Sequence, residues 1–349
     1  MTTRCYTSFT LSYLAKARVL AESVHEHHPD WEVWAMVCEP LPPSFDLENE
    51  PFDAVLTLED LELPGLAGWV FSHSVVEVCT GVKGAAMHRL LTLPDTEAVL
   101  YLDPDVAVFH PLIEVERALE RGSIVLTPHQ LAPEIERQAV IDNEMTSLVH
   151  GVYNLGFVAV RADAQGIDFA AWWRERLIDF CFDDRMSGLF TDQRWCDFVP
   201  VYFDRHVILR LPAYNVGPWN VGQRNVTRAA DGTYLVDGDP LVFFHFSGFD
   251  GSAGRRMLNT YAQPGSAVFD LWAEYESLVV ANGQTEVETL AWPYLRFDDG
   301  SAIDQLMRDA YRYRPDVRAA FADPFCVDRG LPSFREWWDS EGLQQWATR

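Results

Sequence analysis

Two aspartates spaced by one residue, Asp103 and Asp105, follow an apolar run in VLYLDPDVAVF, Val99 to Phe109. In an extended chain, residues i and i+2 point the same way. Two carboxylates so placed can share a hard divalent cation such as Mn²⁺ or Mg²⁺. The cation can in turn take diphosphate oxygens. An acidic turn after a strand, with Pro104 enforcing the bend, gives the same pattern. A second apolar run ends in FFHFSGF, Phe243 to Phe249, on His245, with Gly248 three residues on. Neutral imidazole is a borderline ligand that suits Mn²⁺ beside carboxylates. Glycine lets backbone approach an oxyanion. A strand-end histidine is also an ordinary structural residue. Together, Asp103, Asp105 and His245 make a two-carboxylate, one-imidazole metal site with positions open for two phosphate oxygens.

Four more segments carry candidates. In YNLGFVAV, Tyr153 to Val160, Asn154 and Gly156 open a buried strand where an amide can meet a ligand hydroxyl. In FTDQRW, Asp192 and Gln193 follow a glycine-containing loop and open a short helix, which plain N-capping would also explain. YNVGPWN, Tyr214 to Asn220, brings Tyr214, Trp219 and Asn220 together as an acceptor-sugar candidate. Rings stack on sugar faces and amides bond hydroxyls, although a rigid aromatic-anchored loop reads the same. Lys83, with Glu77 upstream, lies in the helix before the two-aspartate strand and can reach a phosphate or sugar hydroxyl, or else sit in solvent.

The elements that must position these groups alternate in type. Strand patterns fall at Arg4 to Phe9, Trp31 to Cys38, Ala54 to Leu58 and Ala98 to Leu102. Helical patterns lie between them: Leu14 onwards, capped by Thr10 and stopped at Pro29-Asp30, and Val75 to Leu93. Such alternation implies parallel βαβ units with helices on both faces and ligands at the carboxyl ends of the strands. The second half is more mixed, with strands at Leu155 to Val160, Val207 to Arg210 and Leu241 to Phe244. A helix is expected over Phe169 to Phe182 and a short one over Thr191 to Phe198. Residues 1–255 read as one α/β domain and 256–349 as a helical extension packed on it.

Composition bounds the ligands. The 349 residues hold 27 Lys+Arg against 52 Asp+Glu, a formal charge of −25, which argues against nucleic acid and anionic membrane as unaided partners. A phosphorylated ligand then needs a local reversal of charge. No apolar run is long enough to span a membrane, and MTTRCYTSFTLSY has no signal-peptide core. Six scattered cysteines without a CxxC pair suit reduced thiols. A cytoplasmic protein is expected, with peripheral contact to a membrane-linked acceptor still open.

In this order the segments resemble the retaining glycosyltransferases of the GT-A fold, most like family eight, the glycogenin and bacterial lipopolysaccharide galactosyltransferase group. The resemblance covers about residues 3 to 250. It implies a GT-A (Rossmann-like) open mixed sheet flanked by helices, with a C-terminal helical appendage. It implies Mn²⁺ on Asp103, Asp105 and His245, and a nucleotide pocket lined by Thr7, Ser8 and Phe9. Lys83 would contact the donor, and Gly156 and Gly248 would lie against it. Asn154 and Asp192 would bond the donor sugar, and Gln193 would sit beside the anomeric carbon. The implied reaction moves a hexose from a nucleotide diphosphate sugar, UDP by family habit, to a carbohydrate or glycoconjugate hydroxyl with retention, as in surface polysaccharide synthesis. One departure stands out. The family follows its His-x-x-Gly with a Lys-Pro-Trp segment, and here Phe249-Asp250-Gly251 follow, with Arg255 and Arg256 further on.

Three alternatives share some of these features. A phosphatase of the haloacid-dehalogenase type also carries Asp-x-Asp after a strand, but Ala107 stands where its Thr or Val would be. A nucleotidyltransferase would want a glycine-rich basic loop after the first strand, and Thr10 to Arg18 has no glycine. A non-catalytic carbohydrate-binding protein on the same fold would keep the sheet and lose the chemistry.

Overall fold

The computed structural model describes residues 1–327 and 332–347. Seven strands form one sheet. β1 (Thr2–Phe9) lies near its centre and is buried from Arg4 to Phe9. It pairs in parallel with β2 (Glu32–Val37) on one side and with β4 (Thr96–Leu102) on the other, and β2 pairs in parallel with β3 (Ala54–Leu56). Strands covered on both faces carry no alternation: VLYL in β4 is apolar throughout, and β1 buries Thr7 and Ser8 along with Tyr6 and Phe9.

Beyond β4 the order is β7 (Tyr153–Arg161), then β6 (Ile124–Pro128), then the edge strand His206–Ile208. β7 runs antiparallel to both neighbours. The sheet is therefore an open mixed α/β sheet flanked by helices, the arrangement expected of a GT-A fold. The antiparallel insertion has a local consequence. It lays the start of β7 beside the end of β4, and the Asp103 N–H donates to the Gly156 carbonyl at 2.9 Å.

Two short strands were not legible in the sequence. β5 (Val106–Val108) follows the two-aspartate turn and pairs antiparallel with Phe243–His245, setting His245 opposite Val106. β6 was also missed. Strands of three and five residues leave too little pattern to read.

The helices pack on both faces of the sheet. α1 (Leu14–His27) enters through a 3-10 turn, Leu11–Tyr13. Thr10 does not cap it as expected: its hydroxyl pairs with the Ser12 hydroxyl at 3.0 Å. Glu39, just past β2, accepts the Leu11 N–H at 2.6 Å instead. α2 (Leu66–Phe71) leads to α3 (Val75–Leu91), which begins on a Ser74–Glu77 capping box. α3 packs against the helix Ala164–Phe180 at Gly84, where a Cβ would lie 2.6 Å from the Arg174 nitrogen.

The chain beyond the last strand is helical. The helix Ser252–Tyr261 spans residue 255. In the helix Val268–Ala281, Tyr275 stacks on Phe246 at 3.7 Å. A third apolar cluster joins Phe71 to Phe297, Met307, Tyr311, Phe334 and Trp338. No helix among the described residues is long and apolar enough to cross a membrane.

Candidate active site

The turn after β4 opens into a cleft of about 630 Å³ at the carboxyl ends of the parallel strands. One wall comes from Ser8 to Tyr13 and from Val75 to Thr80. The floor carries Tyr101, Asp103, Pro104 and Asp105. The far wall carries His129, Asn143, His150, Gln193, Trp219 and His245.

Asp103, Asp105 and His245 meet on that floor, each with a ligand atom within 4.8 Å of the others. His245 Nε2 lies 3.1 Å from Asp105 and 3.7 Å from Asp103. Its other nitrogen, Nδ1, faces Asn154 Oδ1 at 3.3 Å. That contact sets the tautomer with the proton on Nδ1 and turns Nε2 to the carboxylates, the usual support for a metal-ligating histidine. Asn154 Oδ1 also accepts from the Gly156 N–H and from Asn215 Nδ2, at 3.1 and 3.0 Å. Gly156 makes room for the ring, since a Cβ there would lie 2.3 Å from His245 Cε1.

The charges are interdependent. Burial pushes the His245 imidazole pKa down, but Asp105 and Asp103 outweigh it and the net shift is upward. Burial pushes the Asp105 carboxyl up, and His245, with help from Lys16, brings it below its ordinary value. Beneath the floor, Lys83 Nζ reaches Asp103 at 3.2 Å, Asp192 at 3.0 Å and the Leu155 carbonyl at 3.0 Å. Burial lowers the Lys83 pKa, yet the two carboxylates hold it above the usual lysine value. Asp192 itself is raised, by burial first, with Lys83 opposing and Asp103 adding repulsion.

The remaining candidates fall at different depths. Ser8 and Phe9 line the cleft, and Thr7 is buried behind them. Lys83 and Asp192 lie one layer below the floor; Lys83 touches the lining through Asp103 and Tyr101, and Asp192 is tied to it through Lys83. Gln193 lines the cleft but is held at both ends, accepting from the Leu155 N–H and donating to the His150 carbonyl, each at 3.0 Å. Trp219 lines the cleft with its edge on the His245 ring at 5.1 Å. Tyr214 and Asn220 are buried away from the lining: the Tyr214 hydroxyl accepts the Glu114 N–H, and Asn220 holds the Gly217 N–H and the Asn215 carbonyl. Gly248 adopts φ +73°, in the loop after His245.

Sequence reasoning missed three contributors. Tyr101 donates to Asp103 at 2.5 Å and meets Ser8 at 3.1 Å. Its place two residues before Asp103 was the available signal. The segment Asp142–His150 supplies part of the far wall through a π-turn and a short helix, and only its polarity marked it. Lys16 of α1 looked like one more helix lysine.

No family model matches the chain. The uncharacterized protein YfnF of Bacillus subtilis strain 168 is 31% identical over 181 residues, 50% of this chain and 57% of its own length. The match thus spans little more than half of that relative. The uncharacterized protein YfnD of the same strain is 25% identical over 243 residues, 68% of this chain and 75% of its own. Among solved structures, the galactosyltransferase LgtC in complex with donor and acceptor sugar analogues covers 80% of this chain and 96% of its own, at 16% identity and TM-score 0.47. The glycosyltransferase GlyE of Streptococcus pneumoniae TIGR4 covers 85% and 66%, at 13% identity and TM-score 0.44.

Proposed function

We propose that the chain is a glycosyltransferase that moves a hexose from a nucleotide diphosphate sugar to an acceptor hydroxyl. The observation that carries this reading is the Asp103–Asp105–His245 group on the floor of a deep cleft at the strand ends. Two carboxylates and an imidazole turned by Asn154 are a donor set that fits Mn²⁺ or Mg²⁺. Once bound, such a cation would ligate diphosphate oxygens and polarise the leaving oxygen. The chain's own residues supply the rest. Ser8, Phe9 and the α3 face at Val76, Cys79 and Thr80 form a mainly apolar slot suited to a nucleoside, with UDP the first candidate. Lys83 holds Asp103 in place and links it to Asp192. Gln193 presents its carboxamide to the cleft from a position locked at both ends, which suits a surface beside the transferred sugar. Trp219 offers an aromatic edge on the acceptor side. Residues 1–255 carry these groups in this reading, and 256–349 brace them.

A thermal-shift series with UDP, GDP, dTDP, ADP and CMP, with and without Mn²⁺, tests the reading and names the base, since a ligand of the native state raises the melting temperature. A Mn²⁺-dependent rise with one nucleoside diphosphate supports it; no rise with any nucleotide overturns it. Product NMR then decides between retention and inversion.

A further inference from the structure

No Lys or Arg lines the cleft among the described residues. Yet a sugar nucleotide brings roughly two negative charges on its diphosphate, and Asp103 and Asp105 already offset those of a divalent cation. Lys83 is committed to Asp103, Asp192 and a carbonyl. Arg185 stacks on Phe190 at the rim but is exposed and paired with Asp183; the buried cation on the other side of the site is Lys16. Its side chain is only 1% exposed, its Nζ lies 3.7 Å from the centre of the Tyr13 ring, and its charge is felt at Asp105. Ser12 and Tyr13, just before it on the chain, line the cleft.

The counter-ion of Lys16 is Asp250, which also faces the Tyr13 hydroxyl. The two partners differ in environment. The lysine is desolvated, whereas the Asp250 side chain is 44% exposed. Asp250 sits in a short loop between Ser247, which lines the cleft, and the helix Ser252–Tyr261, with Gly248 at φ +73° as its pivot. A buried ammonium demands an anion, but a half-exposed carboxylate can return to water at little cost. The pair is therefore exchangeable on one side only.

We propose that Lys16 is the diphosphate-binding cation of the donor site and that Asp250 is the carboxylate a donor phosphate displaces. This rests on the nucleotide-sugar reading above. Donor binding swaps one anion for another on the same ammonium, so the buried charge stays paired throughout. Asp250 competes with the donor and keeps Lys16 in place between turnovers.

Calorimetry tests the exchange, with Mn²⁺ present. The probes are the nucleoside diphosphate that gives the largest thermal shift with the wild-type chain, and its monophosphate. Lys16→Met should weaken the diphosphate about tenfold or more and the monophosphate much less. Asp250→Asn leaves the buried Lys16 ammonium an amide oxygen in place of its carboxylate; with folding checked by the urea midpoint, this variant should tighten the diphosphate by about two- to tenfold. Three results would overturn the proposal: unchanged diphosphate affinity in Lys16→Met, equal losses for both nucleotides in that variant, or weaker diphosphate binding in Asp250→Asn. Absence of any nucleotide binding by the wild-type chain would instead remove the donor reading itself, and this inference with it.

Discussion

Helix α3 carries two buried ionic groups six residues apart, Glu77 near its start and Lys83 in its middle, and they belong to different kinds of network. Around Glu77 every charge ends on protein. Its carboxylate accepts from the Ser74 and Asp183 N–H groups at 2.7 and 2.9 Å and from Arg312 at 2.6 Å. Arg312 also donates to the Ser72 carbonyl, and Arg308 to those of Phe71 and His73, at 2.8, 3.0 and 2.8 Å. Both arginines come from the helix Gln305–Tyr313. Among Glu77, Arg308 and Arg312 positive charge is in excess, and carbonyls at and just past the end of α2 take it up. Around Lys83 the balance is reversed. Three carboxylates, Asp103, Asp105 and Asp192, share Lys83 and His245, and two of them open on the cleft. Excess positive charge can be satisfied by backbone, which supplies carbonyls freely. Excess negative charge beside an open cavity calls for a cation from outside. The first network fastens the C-terminal helices; the second is, in the function proposed, a receptor for a cation.

That contrast makes the two sites separable by mutation. Arg312→Met leaves Glu77 buried without its charge partner, which should cost about 3–5 kcal/mol of stability, read from a urea midpoint. Nucleotide affinity of the folded fraction should not move. A matching loss of affinity would merge the two networks into one. Asp103→Asn should do the opposite, lowering donor turnover by on the order of 10²–10³-fold with the urea midpoint nearly unchanged. Full turnover in that variant removes the two-aspartate site as the reacting centre. Gly156→Ala tests the support beneath the receptor. The new methyl group displaces the His245 ring, and Mn²⁺ affinity, measured by titration calorimetry, should fall by about 10–100-fold, while Gly84→Ala at the α3 contact should affect stability alone.

The smallest effect concerns pH and belongs to the fastening network. His73 is buried beside Glu77, and burial, aided by Arg312 and Arg308, pushes its pKa down to about 4 against the opposing Trp69 carbonyl and Glu77. In the unfolded chain it titrates near 6.5. Between those values the unfolded state takes up a proton that the folded state refuses, so stability falls as pH drops from about 6.5 to 4. Glu77 adds to this at lower pH. Burial pushes its carboxyl up, but Arg312 and the two N–H donors more than reverse that, so its contribution is present above the unfolded value and lost as pH falls through the folded one. Urea midpoints at pH 7 and 4.5 should differ by less in His73→Gln than in the wild-type chain. An equal difference would take His73 out of the account.

Much of this was legible in the chain. β4 announced itself because a strand covered on both faces tends to be apolar throughout, and β1 because Tyr6, Thr7 and Phe9 favour extended chain. The two aspartates and His245 stood out because each ends such a run, and a polar residue there faces the strand-end rim. The acceptor group Tyr214, Trp219 and Asn220 was less legible. A loop built of aromatics and amides supports a fold as readily as it meets a sugar, and the structure keeps Trp219 at the cleft while burying the other two. The capping role assigned to Thr10 went to Glu39, a residue 28 positions from the N–H it accepts, which no local pattern could signal.

The sequence by itself determined the parallel βαβ start of the sheet, the location of the two-carboxylate turn and the sign of the charge problem. These follow from local periodicity and composition, which each segment carries alone. Only the tertiary structure decided that β7 runs antiparallel and so brings Asn154 to His245, that Lys83 lies beneath the cleft, and that Lys16 pairs with a residue 234 positions away. Such contacts depend on strand order and helix approach. A side chain's identity fixes what it can bond, but the neighbours it meets are set by the packing of the whole sheet.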